Sequence, residues 1–325
     1  MASTDPKLTG FDLIQTTYKH INTHSIRADI LIPQAPHAGP RPVILRYHGG
    51  GLLMGDSLFM MFFPHWLADL ALAHGAVIVS PNYRLLPEAT SPEIYADIED
   101  FWTWMHSSAF TDLLATHSTP TAADLNRILT AGDSAGGLLS VYTALAHAPQ
   151  IRASTASYPW IDPGSEAFMT ARAMPPFGNS TPEKIYDDYM KTVKFGSPKS
   201  SVDSMESLTI MCAAVEYGHL GGLYARDTDG VPRETLYPKA RLEQKDVQIP
   251  RGGLAIIHGG DDTVIPVADS EEFVKRANEF TSHLPGPGVT LTVRDGEHGF
   301  DSGLRWHEEE WMREAFKEAV RAWLE

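Results

Sequence analysis

Residues 127–147, RILTAGDSAGGLLSVYTALAH, pass directly from a short apolar run into a run of helical period, with Gly132, Gly136 and Gly137 crowded around Ser134. A serine at such a corner predicts a nucleophile elbow. The turn from strand to helix is sharp, glycines two residues before and after leave room for the neighbouring elements, and the hydroxyl is pushed out past the sheet. The helix N-terminus behind the serine favours developing negative charge.

The rest of the chain carries the same alternation. Strand candidates fall at 25–33, 42–48, 76–83, 127–132, 152–159, 253–259 and 289–295, and helix candidates at 62–74, 92–106, 135–147, 267–281 and 305–324. Several strand candidates are apolar without a period of two, as central parallel strands are. The expected class is therefore α/β, a sheet covered by helices on both faces. Residues 1–325 read as a single domain, since no linker, internal repeat or low-complexity tract divides them. Residues 160–245, rich in proline, methionine and aromatics, break the rhythm and read as an inserted cap.

Composition narrows the partners. A formal charge of -15 disfavours nucleic acid and anionic lipid surfaces, because both repel an acidic body. The single cysteine, Cys212, gives no disulfide framework and no thiolate metal cluster. The start MASTDPKLTGFDLIQ has no charged segment followed by an apolar one, and no stretch approaches membrane-spanning length, so a cytoplasmic protein is expected. The expected partner is a small molecule, and a homodimer is left open.

Three further segments supply chemistry. In RYHGGGLLMGD, residues 46–56, consecutive glycines follow a strand candidate, and their N–H groups can turn inward without a side chain in the way. Gly50, Gly51 and Ala135 are the expected donors to an oxyanion, and His48 is expected to shape the loop. A serine hydroxyl needs a base to take its proton and an acid to orient that base. Among 14 histidines, His298 in VRDGEHGFD stands on the loop after the last strand candidate, where α/β sheets gather functional loops. For the acid, IIHGGDDTVIPV offers Asp262 and, as the alternative, Asp261.

Taken together, HGGG at 48–51, NYRLLPE at 82–88, GDSAGG at 132–137 and HGF at 298–300 resemble the α/β-hydrolase superfamily, in its branch of hormone-sensitive-lipase-like esterases and carboxylesterases. The order serine, acid, histidine is that of this superfamily. The resemblance implies a mostly parallel eight-stranded sheet, a cap over the site, an acyl-enzyme intermediate and no metal or organic cofactor. It also favours Asp262, whose run into Val264 and Pro266 is similar to the family's acid loops. Two features depart from the branch: strand-like sequence begins near Ser25 where relatives carry a longer N-terminal cap segment, and the acid loop reads GGDDTVIP instead of the Asp-Pro-Leu form.

The expected function is a serine esterase acting on a moderately hydrophobic ester, with Ser134 as nucleophile, His298 as base and Asp262 as orienter. Trp160, Phe168, Met169, Met174, Phe177 and Tyr186 are the expected substrate contacts. A second reading is a biosynthetic thioesterase or cyclase acting on an acyl or polyketide-like intermediate. A third is a ligand receptor on the same scaffold. Gibberellin receptors resemble this branch and lack the histidine, whereas His298 is present.

Overall fold

The computed structural model describes residues 5–325; the part of the expected domain on residues 1–4 lies outside the described residues. Its strands are β1 (Phe11–Ile21), β2 (His24–Pro33), β3 (Arg41–Tyr47), β4 (Val77–Pro81), β5 (Ala123–Asp133), β6 (Ala153–Ser157), β7 (Leu254–Gly259) and β8 (Val289–Arg294). Every residue of β3, β4, β6 and β7 is buried, which is why β3, β4 and β7 carry apolar runs without a period of two, while β6, ASTAS, is buried through small residues. The strands form one eight-stranded sheet in the order β1-β2-β4-β3-β5-β6-β7-β8. Pairing is parallel from β4 across to β8, and antiparallel between β1 and β2 and between β2 and β4.

The chain leaves β3 for β4 on one side and returns to β5 on the other. Such a reversal leaves a crevice at the carboxyl ends of the two central strands, where ligands bind in open α/β sheets. The helices packed around the sheet are α1 (His65–His74), α2 (Ser91–Met105), α3 (Ser108–Ala115), α4 (Ala135–Ala146), α11 (Val267–Thr281), α12 (Glu310–Ala315) and α13 (Lys317–Leu324). Between β6 and β7 come six short helices, α5 (Glu166–Met169), α6 (Glu183–Met190), α7 (Met205–Glu216), α8 (His219–Ala225), α9 (Arg233–Leu236) and α10 (Pro238–Leu242).

The fold differs from the sequence expectation in three places. Strand β1 precedes Ser25 and went unread, because its mixed and half-exposed sequence FDLIQTTYKHI belongs to a sheet edge. Helix α3 was also unread. The expected helix over 305–324 begins only at Glu310 and breaks at Phe316, whose φ of -99° and ψ of 4° end one helix and start the next.

Two side chains fix the central strands. Fully buried Trp323 of α13 points its Nε1–H at Val43 O, 3.0 Å, and Arg127 O, 2.9 Å, and so ties the C-terminal helix to β3 and β5. At the exit of β3, buried His48 stacks on Tyr83 with ring centroids 4.3 Å apart, and its Nδ1–H donates to Gly49 O at 2.8 Å. The Tyr83 hydroxyl donates to His48 O at 2.6 Å. His48 Nε2 is buried with no hydrogen-bond partner among the described residues, so a proton there would have no acceptor. Burial accordingly pushes the His48 pKa down to about 4.

Two outcomes are expected. Replacing Trp323 by Ala lowers the unfolding free energy by about 3–5 kcal/mol in chemical denaturation, and Phe at the same position recovers most of that loss. Because the folded pKa of His48 lies below its ordinary 6.5, its contribution to stability is complete above 6.5 and is lost as pH falls toward about 4. That loss amounts to roughly 3 kcal/mol. Denaturation curves across this window are expected to show a shallower pH dependence for His48→Phe than for the unaltered protein; equal slopes would contradict the assignment.

Candidate active site

Ser134 follows the last residue of β5 and precedes the first residue of α4, with φ 57° and ψ -120°, a conformation L-residues rarely adopt. The surroundings hold it there. Its N–H donates to Ser157 O on β6 at 2.9 Å, and its carbonyl accepts from the N–H of Trp160 at 2.9 Å. Neither flanking glycine could carry a side chain: a Cβ at Gly132 would lie 2.1 Å from Gly136 O, and one at Gly136 would lie 2.2 Å from Tyr47 O. The corner is closed by backbone touching backbone.

Asp133 binds the glycine loop to this corner. One carboxylate oxygen accepts from the N–H of Gly49 at 3.1 Å and the other from Arg46, fully buried on β3, at 3.2 Å. Desolvation dominates and lifts the Asp133 pKa to about 6, against the pull of Arg46. The loop then turns through φ 112° at Gly50 and 64° at Gly51. The Gly49 N–H is thus occupied, while the N–H groups of Gly50, Gly51 and Ala135 have no hydrogen bond among the described residues. Gly50 is among the residues that line the site cavity, and Gly51 and Ala135 are buried next to Gly50 and Ser134 in the chain.

The structure brings Asp262 and His298 into contact. His298 Nδ1–H donates to Asp262 Oδ2 at 2.8 Å, with the carboxylate fully buried. Asp261 is exposed and accepts only from the N–H of Gly296, at 3.2 Å. The second oxygen of Asp262 accepts from the N–H groups of Val264 and Ile265, each at 2.8 Å. A second imidazole, His258, approaches Asp262 Oδ2 at 3.2 Å through an Nε2–H that is shared with Ile265 O, while its Nδ1 faces the Ser270 hydroxyl at 2.9 Å. Although burial alone would raise it, the two imidazoles and these donors hold the Asp262 carboxyl well below the usual range.

Ser134 and His298 open onto the same cavity of about 320 Å³. Ser134 Oγ has no hydrogen-bond partner among the described residues; the serine and the imidazole share the cavity without being bonded across it. The cavity walls are Met61 and Phe62 from the segment before α1, Tyr158 after β6, Phe177, and Leu208 and Met211 of α7. Of the six expected substrate contacts, only Phe177 is among them. Trp160, Phe168 and Tyr186 are instead buried in the core cluster between sheet and insertion, and Met169 and Met174 are exposed away from the cavity. An apolar residue in an inserted segment serves a small core as readily as a pocket, and composition does not separate the two.

Sequence reading also missed the supports behind the histidine. The Tyr158 ring packs against His298 at 4.5 Å, and its hydroxyl donates to buried Asp301 at 2.8 Å. Asp301 further accepts from Ser157 Oγ at 2.7 Å and Trp66 Nε1 at 2.9 Å. Its place three residues after His298 was a visible signal. Among the described residues no group of three or more His, Cys, Asp or Glu side chains is placed to hold a metal ion, and no helix is long and apolar enough to cross a membrane.

Comparison with known proteins agrees with this geometry. A family profile for the α/β hydrolase fold matches residues 44–217. The chain is 32% identical over 308 residues to a probable carboxylesterase, M8, of a Phoma species, with 91% of each chain covered. It is also 26% identical over 304 residues to the non-reducing polyketide synthase Preu6 of Preussia isomera, covering 81% of this chain and 13% of that one. Among solved structures, esterase B of Lactobacillus rhamnosis superposes with a TM-score of 0.62 at 17% identity, covering 97% of this chain and 87% of that one. With its sheet order, its serine corner and these relatives, the chain belongs to the α/β-hydrolase superfamily, in the hormone-sensitive-lipase-like carboxylesterase branch.

Proposed function

We propose that the protein hydrolyses carboxylic esters of moderately hydrophobic small molecules by a serine mechanism. The observation that carries this reading is the Asp262–His298 pair at 2.8 Å, opening on the cavity that also exposes Ser134. Ser134 Oγ attacks the ester carbonyl as His298 Nε2 takes its proton, and the carbonyl electrons move onto oxygen. The free N–H groups of Gly50, Gly51 and Ala135 stabilise that oxyanion. Collapse breaks the carbon–oxygen bond to the alcohol, which leaves with the proton held by His298. Water, deprotonated by the same imidazole, then releases the acid and restores Ser134.

Asp262 keeps Nδ1 protonated, so that Nε2 is the basic nitrogen, and it stabilises the imidazolium as it forms. At about 320 Å³ the cavity is at the small end of ligand pockets, and Met61, Phe62, Phe177, Leu208 and Met211 give it an apolar wall. Both features suit a short or medium acyl chain.

A second reading keeps the nucleophile and changes the substrate. The similarity of most of this chain to a small part of a polyketide synthase favours the release of an acyl group from a thioester, by water or by an internal hydroxyl. The covalent chemistry is the same up to the acyl-enzyme.

The experiment pairs a fluorophosphonate label with a panel of p-nitrophenyl esters and N-acetylcysteamine thioesters of graded chain length. Ester turnover, labelling at Ser134 and a fall in kcat/KM of about 10⁴-fold or more in Ser134→Ala, with the melting temperature little changed, are expected. Unlabelled protein, or Ser134→Ala turning over the activated ester at the original rate, would overturn the mechanism. A kcat/KM for thioesters well above that for esters would select the second reading.

A further inference from the structure

One hydroxyl joins the insertion between β6 and β7 to both catalytic loops. Thr263 Oγ1 accepts the N–H of Phe177 at 2.7 Å and donates to Glu297 Oε2 at 2.7 Å. The other oxygen of Glu297 accepts from the N–H of Thr263 and from that of His298, each at 2.7 Å. Thr263 is next to Asp262, and Glu297 is next to His298. A single carboxylate therefore clasps the acid loop to the histidine loop, directly beside the Asp262–His298 hydrogen bond.

Phe177 is the insertion's contribution to this junction. It is the member of the insertion's 3-10 turn, Pro176–Gly178, with φ 56° and ψ 21°, a left-handed conformation unfavourable for an aromatic residue. Its ring lines the cavity, lies 6.1 Å from the His298 ring and is 38% exposed, so little packing holds it there. The strained backbone is held by the hydrogen bond to Thr263 and, within the turn, by Asn179 Nδ2–H donating to Phe177 O at 2.8 Å, of which only the first reaches outside the insertion. A second strut runs alongside, where Arg172 Nη1 donates to Thr263 O at 3.0 Å and Val264 O at 2.7 Å.

We propose that Thr263 and Glu297 are positioning residues that couple the placing of Phe177 over the cavity to the alignment of His298 on Asp262, and that Phe177 sets the acyl-chain preference. The proposal rests on the serine mechanism above. An acyl chain that packs against Phe177 braces the turn on Thr263, and with it the clasp on the histidine loop, in the bonded geometry already present. A chain too short to reach Phe177 receives no help from it. Binding energy away from the reacting atoms then appears as better alignment of the base, the usual use of a closing segment.

The test compares p-nitrophenyl acetate with p-nitrophenyl hexanoate in the full chain. Thr263→Val, which keeps the shape and removes the hydroxyl, is expected to raise KM for hexanoate about tenfold with KM for acetate within about twofold, and to lower kcat for both. Thr263→Ser, which restores both hydrogen bonds, is expected to return the hexanoate KM to within about twofold of the original. Phe177→Ala removes the wall and leaves the clasp; it should reproduce the rise in KM for hexanoate and lower kcat for hexanoate more than for acetate. Glu297→Gln should do the reverse, lowering kcat for both esters with KM unchanged.

An unchanged KM ratio in Phe177→Ala, or a loss in Thr263→Val that Ser does not rescue, would overturn the coupling. If Thr263→Val does not fold, the Phe177 and Glu297 variants decide on their own. Fluorophosphonate labelling of the unaltered protein separates the two levels: its absence removes the serine mechanism, whereas its presence with unmoved kinetics removes only the coupling.

Discussion

The corner at Ser134 is the constraint on which the rest of the site depends. Two segments of backbone occupy the space that a side chain at Gly132 or Gly136 would need, and one of them, Tyr47–His48, is the exit of β3. The glycine loop is consequently set by the corner itself. The same contact that forces Ser134 to φ 57° brings the β3 exit against the start of α4. Asp133, the residue before the serine, then closes the arrangement by holding the Gly49 N–H. One strained residue thereby determines where the Ser134 hydroxyl and the glycine loop stand relative to each other, and its strain of about 1–3 kcal/mol is offset by the packing of the central sheet.

The acid and histidine loops are built on a different principle. They leave β7 and β8, adjacent parallel strands, so their starting points are fixed by sheet register, with His258 opposite Val293 and Gly259 opposite Arg294. Beyond the strands, order comes from polar groups that satisfy one another. Asp262 receives two imidazoles and two backbone donors, and Glu297 receives two backbone donors and a hydroxyl. Donors on several sides hold each carboxylate in place, and for Asp262 they also keep the carboxyl charged, which is what the role proposed for it requires. Rigidity here is achieved by satisfied hydrogen bonds, and at the serine corner by exclusion of side chains.

Local rules made much of this legible in the sequence. A serine between spaced glycines, a glycine run after an apolar strand, and an acid and a histidine each after a late strand are all statements about a few neighbouring residues. The structure places Ser134 and His298 on one cavity, with the Asp262 carboxylate buried against the imidazole. What the sequence left unread is of two kinds. Strand β1 has the polar alternation of an edge and lies outside the buried-run rule that finds central strands. The cavity wall is assembled from Met61, Phe62, Phe177, Leu208 and Met211, which no sequence spacing relates. Aromatic residues of the insertion looked equally suited to that wall, yet Trp160 and Phe168 are nearly inaccessible, at 1% each, because the insertion needs a core of its own to stay folded against the sheet.

Beneath the corner lies a charge arrangement that hydrophobic packing alone would not select. Asp133 and Asp301 are both buried, and Arg46 is the guanidinium in contact with Asp133. Desolvation and the neighbouring Asp301 both push Asp133 upward, which marks its ionised form as costly where it stands. An apolar pair of the same volume would remove that cost, but it would supply neither the acceptor that fixes Gly49 nor the one that fixes Tyr158 behind His298. Each carboxylate accepts from groups on separate segments: Asp133 from β3 and the glycine loop, Asp301 from α1, β6 and the residue after β6. Directional bonds between elements distant in sequence are what hold a nucleophile, a base and its donors in register to a fraction of an ångström. Stability is thus given up below the site in exchange for geometry within it, and the apolar clusters on either side of the sheet supply the surplus that makes the exchange possible.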